Sequence, residues 1–210
     1  KSIAVVNETL IYKSDSDVCA YQGGFPASIS SALGTGKFSG AIAGTVNNRY
    51  YISMLDEQNE AQLFVYDAKL GLWMREDDLR PVYFATFENE LYCIADNRLI
   101  ALTGSTGEKE PFVSWEAESG MLNYRNAEKK YGSRFKLRVQ MEDGEELEIW
   151  LRYDEEKDWQ LKGRLSSTRN RTVCVPVRPR RCDHLRIKLK GKGEFRLFSI
   201  GRNLSYGSDV

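Results

Sequence analysis

The sequence has little of what most catalytic sites require. It contains one histidine, His184, among 210 residues, and no Gly-x-Ser-x-Gly elbow for a serine nucleophile. The stretch Gly34-Thr35-Gly36-Lys37 fails as a phosphate loop, because Phe38 stands where Ser or Thr is required and Ser31 stands at the leading glycine. No apolar run approaches the roughly 20 residues of a membrane-spanning helix. These absences favour a binding or structural role, with no cofactor and no membrane association.

Charge is balanced in total but not along the chain. The 30 basic and 30 acidic side chains give a net charge of zero. Residues 1–112 carry 9 basic and 15 acidic side chains, residues 113–161 carry 8 and 12, and residues 162–210 carry 13 and 3. We therefore expect the last strands to present a positive face.

Four cysteines, Cys19, Cys93, Cys174 and Cys182, lie on strand-like apolar stretches. Buried free thiols are favoured over disulfides, because a free cysteine packs as a small hydrophobe. Cys182 and His184, placed at i and i+2, predict one shared strand face, with Cys174 on the preceding strand. A metal cluster there lacks a fourth ligand and a known spacing, so no metal is expected, and a Cys174–Cys182 disulfide in an oxidised sample is the better alternative.

The first half of the chain repeats. Asn7, Asn48 and Asn89 each begin a similar strand-like segment, 41 residues apart, and a second strand and a turn follow each time. A period near 41 residues with about four strands per unit is typical of β-propeller blades. Tyr66, Asp67 and Trp73 are similar to the Tyr-Asp pair and Trp of kelch-type blades. The alternative is an ordinary antiparallel meander.

The second half predicts a β-sandwich. Phe135, Leu137, Val139 and Met141 alternate with Arg134, Lys136 and Arg138, and further alternating strands follow. Pro176 and Pro179 indicate an edge strand. The last strands resemble a galactose-binding-like jelly roll. The predicted fold is therefore all-β, with partial kelch-type propeller blades over residues 1–108 and a β-sandwich over residues 109–210.

Three candidate sites emerge from these strands. The first is an anion, nucleic-acid or partner face on the basic C-terminal strands, comprising Arg178, Arg180, Arg181, Arg186, Lys188 and Lys190. The second is a glycan platform at Trp150, which falls on the charged face of its strand, although most tryptophans in small sandwiches are packing residues. The third is the acidic triplet Glu76-Asp77-Asp78, which would matter in a propeller glycosidase but is typical of a solvated loop.

The stretches Leu10–Pro26, Tyr50–Asp78 and Val175–Arg186, together with the ending Tyr206–Val210, resemble uncharacterised prophage-encoded proteins of Gram-positive gut bacteria. Those proteins are longer at the N-terminus, so we expect sequence before Lys1. The blade-like half is distantly similar to tail-nozzle and packaged-DNA stabilisation proteins of short-tailed phages. That resemblance implies a virion protein, made in the bacterial cytoplasm, that forms a homo-oligomer and contacts other virion proteins.

The sequence thus predicts a non-enzymatic phage structural protein, a tail or head–tail junction component acting through protein–protein contacts. DNA contact through the basic strands is an additional expectation. The alternatives are a carbohydrate-binding module for surface attachment and, third, a propeller glycoside hydrolase.

Overall fold

The computed structural model describes residues 1–103, 113–123, 130–141, 144–166 and 171–206, without the side chains of 130–133, 171, 176–180 and 204–206. The described residues form 18 β-strands in five antiparallel sheets, and one short 3-10 helix, Ser31–Leu33, accompanies them. No helix among them is long and apolar enough to cross a membrane. The predicted all-β class is confirmed.

The chain divides into two compact units, Lys1–Thr106 and Gly107–Val210. The sequence-based boundary falls two residues later, between residues 108 and 109. Each unit has its own hydrophobic core.

The first unit is built from three sheets, each of them a meander in chain order. Sheet 1 consists of β1 (Ala4–Val6), β2 (Thr9–Lys13), β3 (Val18–Tyr21) and β4 (Ala27–Ser28). Sheet 2 consists of β5 (Ser39–Val46), β6 (Arg49–Leu55), β7 (Ala61–Asp67) and β8 (Leu72–Asp77). Sheet 3 consists of β9 (Tyr83–Phe87), β10 (Glu90–Ala95) and β11 (Arg98–Ala101).

Sheet 2 is apolar on both faces because it packs between sheets 1 and 3. One core joins Val6, Ile11 and Val18 of sheet 1 to Tyr50 and Ile52 of sheet 2. A second core joins the opposite face of sheet 2 to sheet 3 through Tyr51, Leu63, Val65, Phe84 and Leu91. The sheets therefore stack in chain order, as expected of a repeat that cannot bury both of its faces alone.

Side-chain hydrogen bonds tie the stacked sheets together. Tyr50 Oη of sheet 2 donates to the Ser2 carbonyl at 2.6 Å, and burial raises the pKa of this phenol. The Trp73 indole, in contact with Tyr66, donates to the Ile29 carbonyl at 2.6 Å. Thr86 Oγ1 of sheet 3 donates to the Thr45 carbonyl of sheet 2. Each stacked pair thus has at least one side-chain anchor besides its apolar contacts.

The hairpins correct the predicted register of the repeat. The pairs that close the first hairpin of each sheet are Val6–Thr9, Val46–Arg49 and Phe87–Glu90. Asn7 is therefore equivalent to Asn47, not to Asn48, and the first period is 40 residues while the second is 41. The first residues of the three turns, Asn7, Asn47 and Glu88, all adopt positive φ, as two-residue hairpin turns demand.

The second unit has two sheets, neither of which is in chain order. Sheet 4 has the order β12-β17-β14-β15, from β12 (Ser114–Glu118), β14 (Glu146–Tyr153), β15 (Gln160–Ser166) and β17 (Leu185–Lys192). Sheet 5 has the order β16-β13-β18, from β13 (Lys130–Met141), β16 (Arg171–Cys182) and β18 (Phe195–Tyr206). β16 is an edge strand, which confirms the prediction from its prolines.

Both sheets of the second unit contribute to one core. Alternate residues of β13, β14 and β17 are buried in it, beginning with Phe135, Leu147 and Leu185. The residues between them point away from that core, which gives each sheet an outward face. These two outward faces carry the predicted basic residues.

Candidate functional site

The outward face of sheet 4 holds half of the predicted anion face, and there the cations are neutralised. Lys188 Nζ lies 2.7 Å from Glu116, and Lys190 Nζ lies 2.8 Å from the other oxygen of the same carboxylate. Arg186 lies 3.4 Å from Glu118, which also contacts Lys188 at 3.6 Å. Both glutamates come from β12, which pairs with β17.

The pKa values of this cluster reflect the pairing. Hydrogen bonds from Lys188 and Lys190 hold the pKa of Glu116 below its ordinary value. The same carboxylate raises the pKa of Lys190. Both charged forms are thus mutually stabilised, and this face has little excess positive charge to offer an anion.

Trp150, the predicted glycan platform, lies half-buried on the same outward face. Its Nε1 donates to Glu148 at 3.0 Å, and Lys190 Nζ lies 6.0 Å from its ring centroid. Nearby, the ring of Trp159 is contacted by Arg152 at 4.7 Å and by Lys188 at 4.5 Å. The cations of the face therefore already contact these rings.

A shallow groove of about 440 Å³ runs along the end of sheet 4. Its lining is mostly polar and charged, and consists of Ser114, Trp115, Glu116, Glu146, Glu148, Lys190, Gly191 and Lys192. Trp115 packs on Gly191 and stacks on Phe195, with ring centroids 5.0 Å apart. Its indole therefore contributes to packing at the edge of the core.

The outward face of sheet 5 is charged in a different way. Arg134, Lys136 and Arg138 occupy alternate, exposed positions of the central strand β13. Every residue directly opposite them on β16 and β18 is uncharged; these residues are Thr172, Cys174, Pro176, Ser199, Gly201 and Asn203. Among the residues that the structure describes, no carboxylate pairs with any of the three cations. We call Arg134, Lys136 and Arg138 the cationic row.

An exposed aromatic ring adjoins the cationic row. The register between β13 and β18 shifts between Arg138 and Val139, and this leaves Phe198 as an extra residue on β18. Phe198 is 55% exposed, and the Arg138 guanidinium lies 5.7 Å from its ring centroid. The bulge thus places a ring and a cation side by side on one open surface.

The remaining residues of the predicted anion face lie on β16. Arg181 is exposed near the end of that strand. The side chains of Arg178 and Arg180 lie outside the described residues. The structure therefore does not bring the six predicted residues together as one face, because Arg186, Lys188 and Lys190 belong to the other sheet.

The cysteine and histidine predictions need correction. Cys174 and Cys182 lie on the same strand, β16, eight residues or roughly 26 Å apart, so they cannot form a disulfide with each other. No described cysteine forms a disulfide, and no described group of His, Cys, Asp and Glu side chains could hold a metal ion. His184 does not share a strand face with Cys182, because it sits in the turn before β17.

His184 is buried among carboxylates in that turn. Its Nδ1 lies 3.2 Å from Asp183, and its Nε2 lies 3.7 Å from Glu155. Asp154 accepts the backbone N–H groups of both Asp183 and His184. The cluster holds the connection between β16 and β17 in place.

The acidic triplet lies at the end of β8 in the first unit. Glu76 and Asp77 are exposed residues. Partial desolvation of their carboxyl groups by surrounding protein atoms nevertheless raises the pKa of each. Arg49 opposes this rise at Glu76. Raised carboxyl pKa values alone do not define a glycosidase, which requires two carboxyl groups facing each other across a substrate.

No family model and no curated protein matches the chain. Among solved structures, the chain is similar to an exo-β-1,3-galactanase from Phanerochaete chrysosporium with galactose, at 10% identity and a TM-score of 0.31, over 90% of this chain and 65% of that one. It is also similar to a glycoside hydrolase family 43 arabinoxylan arabinofuranohydrolase from Bacillus subtilis in complex with cellotetraose, at 11% identity and a TM-score of 0.29, over 93% of this chain and 66% of that one. The chain thus spans about two thirds of either enzyme.

These comparisons correct the predicted function. The solved structures that the chain resembles are glycoside hydrolases, and no comparison supports a tail or head–tail junction component. The prediction of a phage structural protein, a tail or head–tail junction component, is therefore wrong. At TM-scores near 0.3 the likeness transfers no activity to this chain.

The sequence contains a signal for the cationic row, although none of its three residues is among the predicted site residues. Arg134, Lys136 and Arg138 alternate with buried Phe135 and Leu137, so their shared outward direction was predictable. The larger number of cations in residues 162–210 favoured the later strands instead. The neutralisation of Arg186, Lys188 and Lys190 by the glutamates of β12 depends on a pairing between strands about 70 residues apart.

Proposed function

We propose that the outward face of sheet 5 binds single-stranded nucleic acid, with the cationic row contacting the phosphate backbone. The proposal rests on one observation: three exposed cations stand in line on β13, and all of their direct cross-strand neighbours are uncharged. Sheet 4 shows that this protein can neutralise cations with carboxylates on the adjacent strand. An external anion would relieve the repulsion within the row.

The spacing and chemistry of the row suit a phosphate chain. Alternate residues of a strand lie roughly 7 Å apart, so the three side chains present a linear array of positive charge. Two of them are arginines, whose planar guanidinium groups bind phosphate in a bidentate manner. The row thus favours an extended, regularly charged ligand over a small anion.

The adjoining ring favours a single strand over a duplex. Phe198 is exposed beside Arg138, where an unpaired base could stack on it. The face of a three-stranded sheet offers no helix or two-stranded ribbon to enter the major groove of a duplex. In this proposal the second unit holds its ligand without transforming it.

We also propose the finer architecture that the sequence suggested. Tyr66, Asp67 and Trp73 are consistent with a kelch-type blade, since Trp73 reaches back to the preceding sheet through Ile29. The crossed strand orders of sheets 4 and 5 are consistent with a jelly roll of the galactose-binding type. Neither architecture implies a ligand by itself.

Fluorescence anisotropy with a labelled oligothymidylate of about 16 nucleotides tests the proposal. We expect the triple variant Arg134→Gln, Lys136→Gln, Arg138→Gln to lose affinity by on the order of tenfold or more. The control variant Lys37→Gln, Lys69→Gln, Arg98→Gln removes the same charge from exposed sites of the first unit and should bind as the wild type does. Equal loss in both variants, or in neither, contradicts the proposal.

Competition distinguishes the class of anion. A sulfated or uronate polysaccharide carries regular negative charge but no bases to stack. If it displaces the oligothymidylate at a lower concentration of charge than unlabelled oligothymidylate does, the ligand is an acidic polysaccharide and the nucleic-acid proposal fails.

A further inference from the structure

Both ends of the stack of three sheets expose apolar side chains, and this feature is independent of the cationic row. On the outward face of sheet 3, Tyr83, Ile94 and Leu99 lie opposite one another across three strands, with exposed fractions of 62%, 42% and 71%. Phe87, 64% exposed, lies on the same face. We call these four residues the tail face.

Sheet 1 carries a similar row on its outward side. Val5 lies opposite Leu10, and Leu10 lies opposite Tyr21. Val5 is 60% exposed and Tyr21 is 38% exposed. Val6 and Ile11, the next residues along the same two strands, face the other way and are buried against sheet 2. We call Val5, Leu10 and Tyr21 the head face.

The stack has a direction, which the hairpin register reveals. Ile11, Tyr51 and Tyr92 occupy equivalent positions, three residues beyond the last residue of each hairpin turn. Ile11 packs forward onto sheet 2 and Tyr51 packs forward onto sheet 3, while Tyr92 points outward on the side of the tail face. The tail face is therefore the forward side of the repeat.

The head face is the backward side by the same register. Leu10, Tyr50 and Leu91 are equivalent, two residues beyond each turn. Tyr50 packs back onto sheet 1 and Leu91 packs back onto sheet 2, while Leu10 points outward. The tail face thus occupies the position on which a following sheet of the repeat would pack. The head face occupies the position on which a preceding sheet would pack.

We propose that the tail face of one copy of this chain packs on the head face of a second copy, continuing the stack. Terminal repeats of stacked architectures are ordinarily polar on their outer side, and large contiguous apolar patches on a monomer mark interaction sites. Because the two faces differ, the contact is heterologous, and successive copies form a closed ring or an open chain.

Two variants test the direction of the contact. The tail variant carries Ile94→Lys and Leu99→Lys, and the head variant carries Val5→Lys and Tyr21→Lys. All four positions are exposed, so both variants should keep the circular dichroism spectrum and thermal transition of the wild type. Phe25→Lys is the control, because Phe25 is fully exposed yet lies on neither face.

Light scattering over a range of concentrations gives the outcome. We expect the wild type and the control to exceed the monomer mass of 24.0 kDa, and each variant alone to remain at that mass. An equimolar mixture of the two variants should form a dimer, because each supplies the face that the other lacks. A wild type that stays monomeric, variants that fail to complement each other, or loss of association in only one variant would overturn the proposal.

Discussion

The Arg138 guanidinium lies 5.7 Å from the ring centroid of Phe198, on the one outward sheet face where a row of exposed cations lacks carboxylate partners among the described residues. This pair joins the two kinds of contact that single-stranded nucleic acid requires, a charge for the backbone and a ring for a base. The two contributions can be separated experimentally.

Replacing Phe198 by leucine should remove stacking and leave the charge of the surface intact. We expect a loss of about 1–3 kcal/mol in the free energy of oligothymidylate binding, with an unchanged dependence on salt concentration. Arg138→Gln should instead reduce the salt dependence, because one phosphate contact is lost. Titrations at several salt concentrations distinguish the two, and Phe25→Leu is the control. A change of salt dependence in Phe198→Leu would contradict this division of roles.

Removing the glutamates of β12 should expose a second binding face. In the variant Glu116→Gln, Glu118→Gln, the cations Arg186, Lys188 and Lys190 lose their carboxylate partners. We expect this variant to bind oligothymidylate more tightly than the wild type, because sheet 4 then presents unpaired positive charge. Glu57→Gln, Glu60→Gln removes the same two negative charges from the first unit and should leave affinity unchanged. Equal affinities in all three proteins would show that the pairing does not suppress binding.

Glu116 should also make the stability of the second unit depend on pH. Its pKa in the folded protein is depressed below 4.5, the ordinary value, by Lys188 and Lys190. Its stabilisation is therefore present above that ordinary value and is lost as pH falls through the depressed folded pKa. We expect Glu116→Gln to reduce the free energy of unfolding by up to about 1 kcal/mol near pH 7, and by less at low pH.

Urea denaturation at several pH values measures this difference. Glu146→Gln is the control, since Glu146 lies on the same sheet and takes part in no ion pair among the described residues. A Glu116→Gln effect that persists unchanged at low pH would mean that the carboxylate charge is not the cause.

Close packing between sheets 2 and 3 should be sensitive to a single methyl group. A Cβ at Gly44 would collide with Cβ and Cγ of the Phe84 side chain, which is buried between the sheets. We expect Gly44→Ala to destabilise the first unit by about 1–3 kcal/mol. Gly24→Ala, at a position with nothing within 4 Å, should change stability little. Thermal unfolding of both variants provides the comparison, and equal transition temperatures would contradict the packing described.

The sequence predicted the features of the fold that depend on neighbouring residues alone. The alternation through β13 and β14 gave their buried and outward faces, and Pro176 indicated an edge strand. Non-local pairing decided the rest. β12 lies beside β17 across about 70 residues, and no periodicity revealed that its glutamates would neutralise Lys188 and Lys190. The sequence predicted that Asn7 is equivalent to Asn48, whereas the structure makes it equivalent to Asn47. Positions 47 and 48 are both asparagine, so only the hairpin register distinguishes them.

The accessible thiol of Cys174 offers the most direct test of the proposed surface. Cys174 is exposed and lies opposite Lys136, in the middle of the cationic row, whereas Cys19 lies in the first unit. Alkylation of each cysteine can be followed by peptide mass spectrometry with and without saturating oligothymidylate. If nucleic acid occupies the cationic row, the oligonucleotide slows alkylation of Cys174 and leaves the rate at Cys19 unchanged. Equal rates at Cys174 with and without bound oligonucleotide would contradict the proposed site.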